Sequence, residues 1–297
     1  MPRKPVLEMT RETRLSCLAY SARNTLNLIF AFFAKLAVQE EIAVLMYHSV
    51  DLTSNVHSVD PKEFTRQIEY LRKNYAIVSL NEMADFARGS RKAPRKAVAV
   101  TFDDGSQDLY LSVYPYFRKN KLPATVFIST SYVGKQWPFY VNPQKMLGWN
   151  EIEEMSRNNF EIGAHTVHHQ DLRNMSLEEA LKEISESKIE IENHIKKSVN
   201  FFSYPFGSYT PEVVNVVKSL GFKGAVGGSG TISINPQIFN LNRIQVDRSI
   251  SFTVFIARLT KAFDLTTKLE MAAQGVWRLL FSTNARGSTT LRTALHS

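Results

Sequence analysis

Five consecutive residues hold three of the chain's seven histidines: His165-Thr166-Val167-His168-His169. His165 and His169 are four residues apart, so one helical turn or a compact loop can direct both imidazoles at one point. Imidazole is a common ligand of zinc and of other divalent first-row metals. Adjacent residues rarely converge on one ion, and we therefore interpret His168 as a residue that binds no metal. The alternative for the whole motif is a polar surface turn.

A pair of carboxylates, Asp103-Asp104, follows the apolar run 97–102 and precedes Gly105. Adjacent carboxylates point in different directions and can take different roles. One can supply a hard oxygen ligand to a divalent metal, while the other stays ionised beside the metal and accepts a proton. The alternative is a turn cap, since Asp-Asp-Gly is common in turns. Together with the histidine motif, the pair favours a metal site.

The elements that would position these residues follow a repeating pattern. From residue 41 onward, short apolar runs alternate with helical patterns, which predicts βαβ units and a mostly parallel sheet. The strands are predicted at 42–46, 76–80, 97–102, 124–129, 161–164, 201–204, 223–226 and 241–246. Asp60 and Ser176 are helix-start signals. Because functional side chains gather at the carboxyl ends of parallel strands, both motifs are expected at one edge.

Three motifs in order resemble those of the polysaccharide deacetylases (carbohydrate esterase family 4, the NodB-homology domain). They are Thr101-Phe102-Asp103-Asp104-Gly105, His165-Thr166-x-x-His169 and Phe202-Ser203-Tyr204-Pro205-Phe206-Gly207. The resemblance covers roughly residues 41–250, and three ordered motifs are far more specific than any one of them. It implies an α/β fold, namely a distorted (β/α) barrel with an incomplete strand ring.

The same resemblance implies roles for individual residues. Asp104, His165 and His169 would bind a divalent metal, for which zinc is the first expectation and cobalt, nickel or manganese are alternatives. Asp103 would be the general base. The backbone N–H of Phe206 would help stabilise the oxyanion of a tetrahedral intermediate. The alternative for Phe206 is a ring that packs in the core beside a Pro-Gly turn.

The chain departs from the family pattern in two places. Many members carry an arginine two residues before the proline of the third motif, where it orients the base; here that position is Ser203. Arg243 is a candidate substitute, although we interpret it as a surface residue of a strand. The family's C-terminal histidine, which serves as general acid, is also absent, and a leaving amine still needs a proton.

His48 is the candidate for the missing acid. Met46-Tyr47-His48-Ser49 resembles an early Tyr-His pair of the branch that deacetylates poly-β-1,6-N-acetylglucosamine, and by that analogy His48 protonates the amine. The alternative is a capped histidine at the end of a strand. His57 and His194 are interpreted as solvated surface residues. Trp149 could stack on a sugar ring, but a tryptophan at a helix start is more often part of the core.

Composition narrows the classes of partner. The chain has 297 residues and a formal net charge of +8. Its basic residues are spread along the sequence without a zinc-finger or RRM pattern, so we expect no nucleic-acid partner. The charge fits an anionic surface such as a membrane. Cys17 is the sole cysteine, which rules out a disulfide within the chain but says nothing about the compartment.

The sequence predicts three segments: 1–40, a catalytic domain at 41–262, and a basic helical tail at 263–297. In the first segment, basic residues precede the apolar run 26–38, a pattern typical of an export signal or membrane anchor. The alternatives are an amphipathic helix packed on the domain and an interfacial helix. A signal, an anchor or an interfacial helix predicts a location in the cell envelope, exported or membrane-associated, whereas a helix packed on the domain is compatible with a cytoplasmic one.

The predicted function is metal-dependent N-deacetylation of a polysaccharide that contains N-acetylglucosamine. One alternative is a hydrolase of a non-sugar amide or an O-acetyl ester on the same scaffold. The other is a catalytically impaired glycan-binding protein, an alternative that the absent arginine favours and the intact metal-binding motif opposes. The sequence makes no prediction of oligomeric state.

Overall fold

Parallel strands dominate the computed structural model, which describes residues 41–53, 55–139, 144–229 and 237–259. The strands are β1 (Glu41–Tyr47), β2 (Ser49–Val50), β3 (Ser58–Val59), β4 (Ala76–Ile77), β5 (Lys96–Phe102), β6 (Ala124–Ile128), β7 (Phe160–Ala164), β8 (Phe201–Ser203), β9 (Gly224–Ser229) and β10 (Leu241–Gln245). Apart from β2 and β3, which form a small sheet of their own, all of them belong to one sheet.

This sheet closes on itself. Strand β1 pairs in parallel with both β5 and β10, so that β1, β10, β9, β8, β7, β6 and β5 form a ring. The short strand β4 adds to β5 from outside the ring. The ring has one strand fewer than the eight of a complete (β/α) barrel. The prediction of a (β/α) barrel with an incomplete strand ring is confirmed.

Helices connect the strands. They are α1 (Pro61–Asn74), α2 (Leu80–Arg88), α3 (Tyr114–Lys119), α4 (Trp149–Ser156), α5 (Leu177–Ile195), α6 (Pro211–Ser219) and α7 (Phe252–Arg258). The Asp60 side chain accepts the first free N–H groups of α1, and Ser176 forms a capping box with Glu179 at the start of α5, as predicted. A turn of π-helix, Leu109–Val113, precedes α3, whose second residue is Pro115, where the missing N–H interrupts the helical hydrogen bonds.

Alternation along the strands separates two apolar regions. On β5, Ala97 and Ala99 belong to a cluster inside the barrel that includes Phe127, whereas Val98 and Val100 face the helices. Successive side chains of a strand point to opposite faces, so the next inward positions after Ala99 are 101 and 103. Helix α2 contributes to the inner cluster and covers the amino end of the barrel, which leaves the carboxyl end for a site.

Two predicted segments fall outside the described residues: the N-terminal segment 1–40 and the tail 263–297. The segment Gln39–Leu259 forms one compact unit, and the boundaries near residues 40 and 262 stay predictions. Among the described helices, none combines the length and the apolar character that crossing a membrane requires.

Candidate active site

The Asp103-Asp104 pair lies in a tight turn directly after β5. Asp103 donates its backbone N–H to the Tyr47 carbonyl at 2.9 Å, which ties this turn to the end of β1. Asp104 and Gly105 both have positive φ, 70° and 83°. A Cβ on Gly105 would come within 2.7 Å of the Ile128 side chain, so the turn needs glycine there. The two carboxylates therefore leave the strand in different directions.

Asp104, His165 and His169 converge at the carboxyl end of the barrel. The Asp104 Oδ1 atom lies 3.5 Å from His165 Nε2 and 3.4 Å from His169 Nε2, and the three ligand atoms all lie within 4.8 Å of one another. Ligands of a tetrahedral zinc ion, at 2.0–2.1 Å from the metal, are about 3.3 Å apart. The residues present therefore fit a divalent metal with open coordination positions.

The surroundings of His165 also fit a metal ligand. Its Nδ1 lies 2.7 Å from the Ser203 carbonyl, which can only accept, so Nδ1 carries a proton and Nε2 is the ring nitrogen that faces Asp104. This carbonyl–imidazole hydrogen bond is typical of metal-binding histidines, because it fixes both the tautomer and the ring orientation. His165 thus meets the chemical requirement of a ligand through its own neighbours.

His168 points away from this site. Its ring Nδ1 lies 2.6 Å from Glu183 Oε1, and Glu183 Oε2 accepts the backbone N–H groups of Val167 and His168. His169 donates its N–H to Thr166 Oγ1 at 2.9 Å. The five-residue motif is therefore a structured loop. It directs His165 and His169 toward Asp104, and it directs His168 toward Glu183 on helix α5.

Arg243 holds the other carboxylate. It is 2% exposed, and its Nη1 and Nη2 atoms donate to Asp103 Oδ1 and Oδ2 at 2.6 and 2.7 Å. The same guanidinium donates to Thr101 Oγ1 at 3.2 Å and to Ser203 Oγ at 3.0 Å. Our interpretation of Arg243 as a surface residue is wrong: it enters the barrel from β10 and takes the place of the arginine missing from the third motif.

Burial and charge set the pKa values of the two aspartates. Burial raises the pKa of Asp103, but the charges of Arg243 and His165 outweigh burial and hold it below its ordinary value. Burial likewise raises the pKa of Asp104, while the hydrogen bond to His165 and the charges of His48 and His169 lower it well below the ordinary range. Both carboxylates are therefore ionised at neutral pH.

The pKa values of His165 and His169 are shifted in opposite directions. Burial and the charge of His165 lower the pKa of His169 to about 4, so its imidazole is neutral at physiological pH. Burial also lowers the pKa of His165, but Asp104 and Asp103 outweigh burial and raise it. Two carboxylates thus favour positive charge at this point, and a divalent cation would supply it.

His48 follows β1 at the same end of the barrel and is half-buried. Its charge contributes to the lowered pKa of both Asp103 and Asp104. The ring of His57 lies 5.1 Å from the His48 ring. Burial, followed by the charge of His48, lowers the pKa of His57. The interpretation of His57 as a solvated surface residue is wrong.

Phe206 adopts a left-handed backbone conformation, with φ 58° and ψ 9°, between Pro205 and Gly207. Its side chain is 69% exposed, so the alternative of a ring packed in the core is wrong. The ring instead lies edge-on to His169, with 4.7 Å between centroids. Residue 206 is therefore beside His169, a candidate metal ligand, and the role of its N–H as an oxyanion donor stays a prediction.

Trp149 is engaged elsewhere. It is the first residue of α4, which begins after Gly148, and the Gly148 N–H donates to Glu151 at 2.7 Å. The indole stacks on the His194 ring, with 3.8 Å between centroids and 7° between the planes. The interpretation of His194 as a solvated surface residue is therefore wrong, because its ring packs on Trp149. One face of the Trp149 ring is covered by this contact.

Known proteins resemble this chain in sequence. The polysaccharide deacetylase family model matches residues 90–225, a range that includes both aspartates and the candidate metal-binding histidines but neither His48 nor Arg243. The candidate polysaccharide deacetylase YxkH of Bacillus subtilis is 27% identical over 217 residues, which cover 72% of this chain and 75% of that protein. A poly-beta-1,6-N-acetyl-D-glucosamine N-deacetylase of Staphylococcus aureus is 29% identical over 177 residues, 56% of this chain and 60% of that enzyme.

Solved structures share the fold. IcaB from Ammonifex degensii has a TM-score of 0.68 at 24% identity, over 76% of this chain and 98% of that chain. The deacetylase PplD of Streptococcus pyogenes has a TM-score of 0.65 at 24% identity, over 74% of this chain and 98% of that chain. Barrel, motif order and sequence matches agree that this chain is similar to the polysaccharide deacetylase family.

Proposed function

We propose that the chain is a metal-dependent N-deacetylase that hydrolyses acetamido groups of polysaccharide containing N-acetylglucosamine and releases acetate. The observation that carries this proposal is the convergence of Asp104, His165 and His169 beside an Asp103 carboxylate bound by Arg243. The sequence similarity to the staphylococcal poly-beta-1,6-N-acetyl-D-glucosamine N-deacetylase supports the choice of substrate class. Since the match covers 60% of that enzyme, linkage and chain length are part of the proposal.

Asp104, His165 and His169 would hold the metal, with zinc as the first expectation. A divalent cation there supplies Lewis-acid polarisation of the acetamide carbonyl and makes water a stronger nucleophile at neutral pH. Cobalt, nickel and manganese are alternatives with the same donor set.

The protein's own groups would carry the protons. Asp103, ionised and oriented by Arg243, accepts a proton from the water that attacks the acetyl carbon. The Phe206 N–H donates to the carbonyl oxygen as that oxygen gains negative charge. His48 donates a proton to the glucosamine nitrogen as the C–N bond breaks. The products are acetate and a free amine, which is cationic at neutral pH.

Arg243 bears directly on the rival idea of a catalytically impaired glycan-binding protein. That idea drew its support from a missing base-orienting arginine. Because Arg243 donates to both oxygens of Asp103, the base is oriented after all. The geometry therefore favours an active hydrolase.

A substrate screen tests the proposal. Purified full-length protein with added zinc is assayed for acetate release from β-1,6- and β-1,4-linked N-acetylglucosamine pentamers, from an O-acetylated sugar and from an acetylated nucleobase. We expect release from the pentamers, fastest from the β-1,6-linked one. Release from the O-acetyl ester alone, or from the nucleobase amide alone, would contradict the proposed substrate class.

We also propose a location in the cell envelope, exported or at a membrane surface. The support is the polysaccharide substrate class together with the basic and apolar sequence of segment 1–40. Fractionation of cells that express the full chain tests this: the protein should leave the cytosolic fraction, and deletion of segment 1–40 should return it there. Equal cytosolic recovery of both chains would contradict the location.

A further inference from the structure

Two exposed phenylalanine rings flank a metal-binding histidine. Phe139 is 53% exposed and Phe206 is 69% exposed. The centroids of both rings lie close to that of His169, at 5.6 Å for Phe139 and 4.7 Å for Phe206. Large exposed apolar side chains that share one site usually mark a binding surface. These two rings adjoin the place where the acetamide would react.

The ring of Phe139 is held in place by two neighbouring aromatic side chains. It meets Trp137 edge-on at 5.1 Å and Tyr132 edge-on at 5.8 Å. Trp137 is buried and packs in turn against His169 at 5.1 Å, while the Tyr132 hydroxyl donates to the His168 carbonyl at 3.3 Å. An aromatic ring that is already held by such packing contacts loses little conformational freedom when a ligand binds its exposed face.

Phe206 is held by its backbone. A bulky side chain at φ 58° is an uncommon arrangement that costs free energy, and such residues cluster at functional sites. Here the turn between Pro205 and Gly207 turns the ring outward rather than into the core. Neither ring is therefore an incidental surface residue, because each is positioned by packing or by backbone conformation.

We propose that Phe139 and Phe206 form an aromatic platform that stacks on the apolar faces of pyranose rings, those of the reacting sugar and its neighbour in the glycan. Aromatic surface with a fixed orientation offers apolar contact to the C–H face of a sugar, while the sugar's hydroxyls stay in water. The platform would make an oligomer a better substrate than a single N-acetylglucosamine. This inference rests on the proposed function.

The test compares Phe139→Ala, Phe139→Leu and Phe139→Trp with wild type. On the β-1,6-linked N-acetylglucosamine pentamer with added zinc, we expect KM to rise about fivefold to tenfold in the alanine variant, with a smaller change in kcat. The leucine variant keeps apolar packing on Trp137 but lacks a ring face, and should resemble alanine. The tryptophan variant should retain a KM near that of wild type.

Ile189→Ala is the matched control, since Ile189 is 55% exposed on α5 and belongs to no part of the proposed site; its KM should equal that of wild type. Phe206→Leu should raise KM as well, and melting temperatures check that each variant folds. If Phe139→Ala or Phe139→Leu binds the pentamer as wild type does, the platform is wrong.

Failure of the proposed function gives a different result. If wild type releases no acetate from any acetylated oligomer, the proposed function fails, and the platform is then tested by calorimetric titration with the pentamer. Binding by wild type that is weakened in Phe139→Ala and restored in Phe139→Trp would support the platform without catalysis. Absence of binding by wild type would overturn the platform too.

Discussion

The guanidinium of Arg243 binds both oxygens of the Asp103 carboxylate, at 2.6 and 2.7 Å, from strand β10, which is far from β5 along the sequence. Two parallel charge-assisted hydrogen bonds fix the plane of the carboxylate as well as its charge. Ser203 and Thr101 fix the guanidinium in turn. The proposed base is therefore preorganised by residues from three different strands.

Arg243→Lys should impair catalysis while leaving the fold intact. Lysine keeps the charge but cannot form the two parallel hydrogen bonds, and a base displaced by about 1 Å costs roughly 10²-fold in kcat. The measurement is acetate release from the β-1,6-linked pentamer. Arg157→Lys, at a helix position where the arginine side chain is largely exposed, is the matched control and should retain full activity. Full activity in Arg243→Lys would show that Asp103 does not need this arginine.

Arg243→Met should destabilise the fold, because it leaves the Asp103 carboxylate buried without its partner. Breaking a buried ion pair from one side costs about 3–5 kcal/mol. In the double variant with Asp103→Asn, both charges of the pair are removed, so part of the lost free energy of unfolding should return. Urea denaturation of wild type, both single variants and the double variant measures this coupling. Strictly additive losses would contradict a direct Arg243–Asp103 interaction.

Adjacent histidines should differ in metal binding. His169→Ala removes one of three ligands and should lower bound zinc to a small fraction of that in wild type, whereas His168→Ala should leave bound zinc unchanged, because His168 contacts Glu183 instead. Metal analysis after dialysis against dilute zinc gives both values. Equal zinc contents in the two variants would contradict the assigned ligand set.

His48→Asn should slow hydrolysis selectively. An amine cannot leave without a proton, whereas an alcohol of low pKa can. Acetate release from the N-acetylated pentamer should fall by about 10²-fold or more, with a much smaller loss on an aryl acetate. The same loss on both substrates would show that His48 does not act as the general acid.

The stability of the metal-free protein should depend on Asp108. Burial raises its pKa to about 6, despite hydrogen bonds from Ser106 and the Val50 N–H. A raised folded-state pKa gives stability that is fully present below the unfolded value of about 3.9 and is lost as pH rises through about 6. A pKa difference of about 2 between the folded and unfolded states corresponds to about 3 kcal/mol.

Asp108→Asn removes this titration while an asparagine can still accept from Val50 and donate to Ser106. The free energy of unfolding of wild type, relative to Asp108→Asn, should therefore fall by about 3 kcal/mol from about pH 4 to about pH 7. Urea denaturation in the presence of a chelator measures it without a contribution from metal binding. A difference between the two proteins that is independent of pH would contradict the raised pKa.

The local sequence pattern was enough to predict the strands and the convergence of the three candidate metal ligands. Asp104, His165 and His169 each lie within a few residues of the end of an apolar strand, and in a parallel barrel those ends meet. The helix starts at Asp60 and Ser176 depend on hydrogen bonds to residues two or three positions away, so they can be predicted from the spacing of residues in the sequence. These features need no knowledge of distant contacts.

Arg243 and Phe206 could not be assigned in that way. The burial of Arg243 depends on closure of the ring, in which β1 pairs with both β10 and β5 and so brings these two strands close together. One signal was available: Arg243 is two residues after Leu241, an inner-cluster residue, and so shares its inward face. The ring of Phe206 points outward because its backbone has a positive φ. That conformation is uncommon for a phenylalanine, so the residue type gives no reason to expect it.

The central claim is that a bound metal and Asp103 together hydrolyse the acetamide. The direct test adds zinc in steps to chelator-treated full-length protein and measures bound zinc and acetate release from the β-1,6-linked N-acetylglucosamine pentamer, for wild type and Asp103→Asn. The account predicts wild-type activity that rises with bound zinc to one equivalent, and an Asp103→Asn variant that binds the same zinc but is slower by about 10²–10⁴-fold. Full acetate release without metal, or by Asp103→Asn, would contradict it.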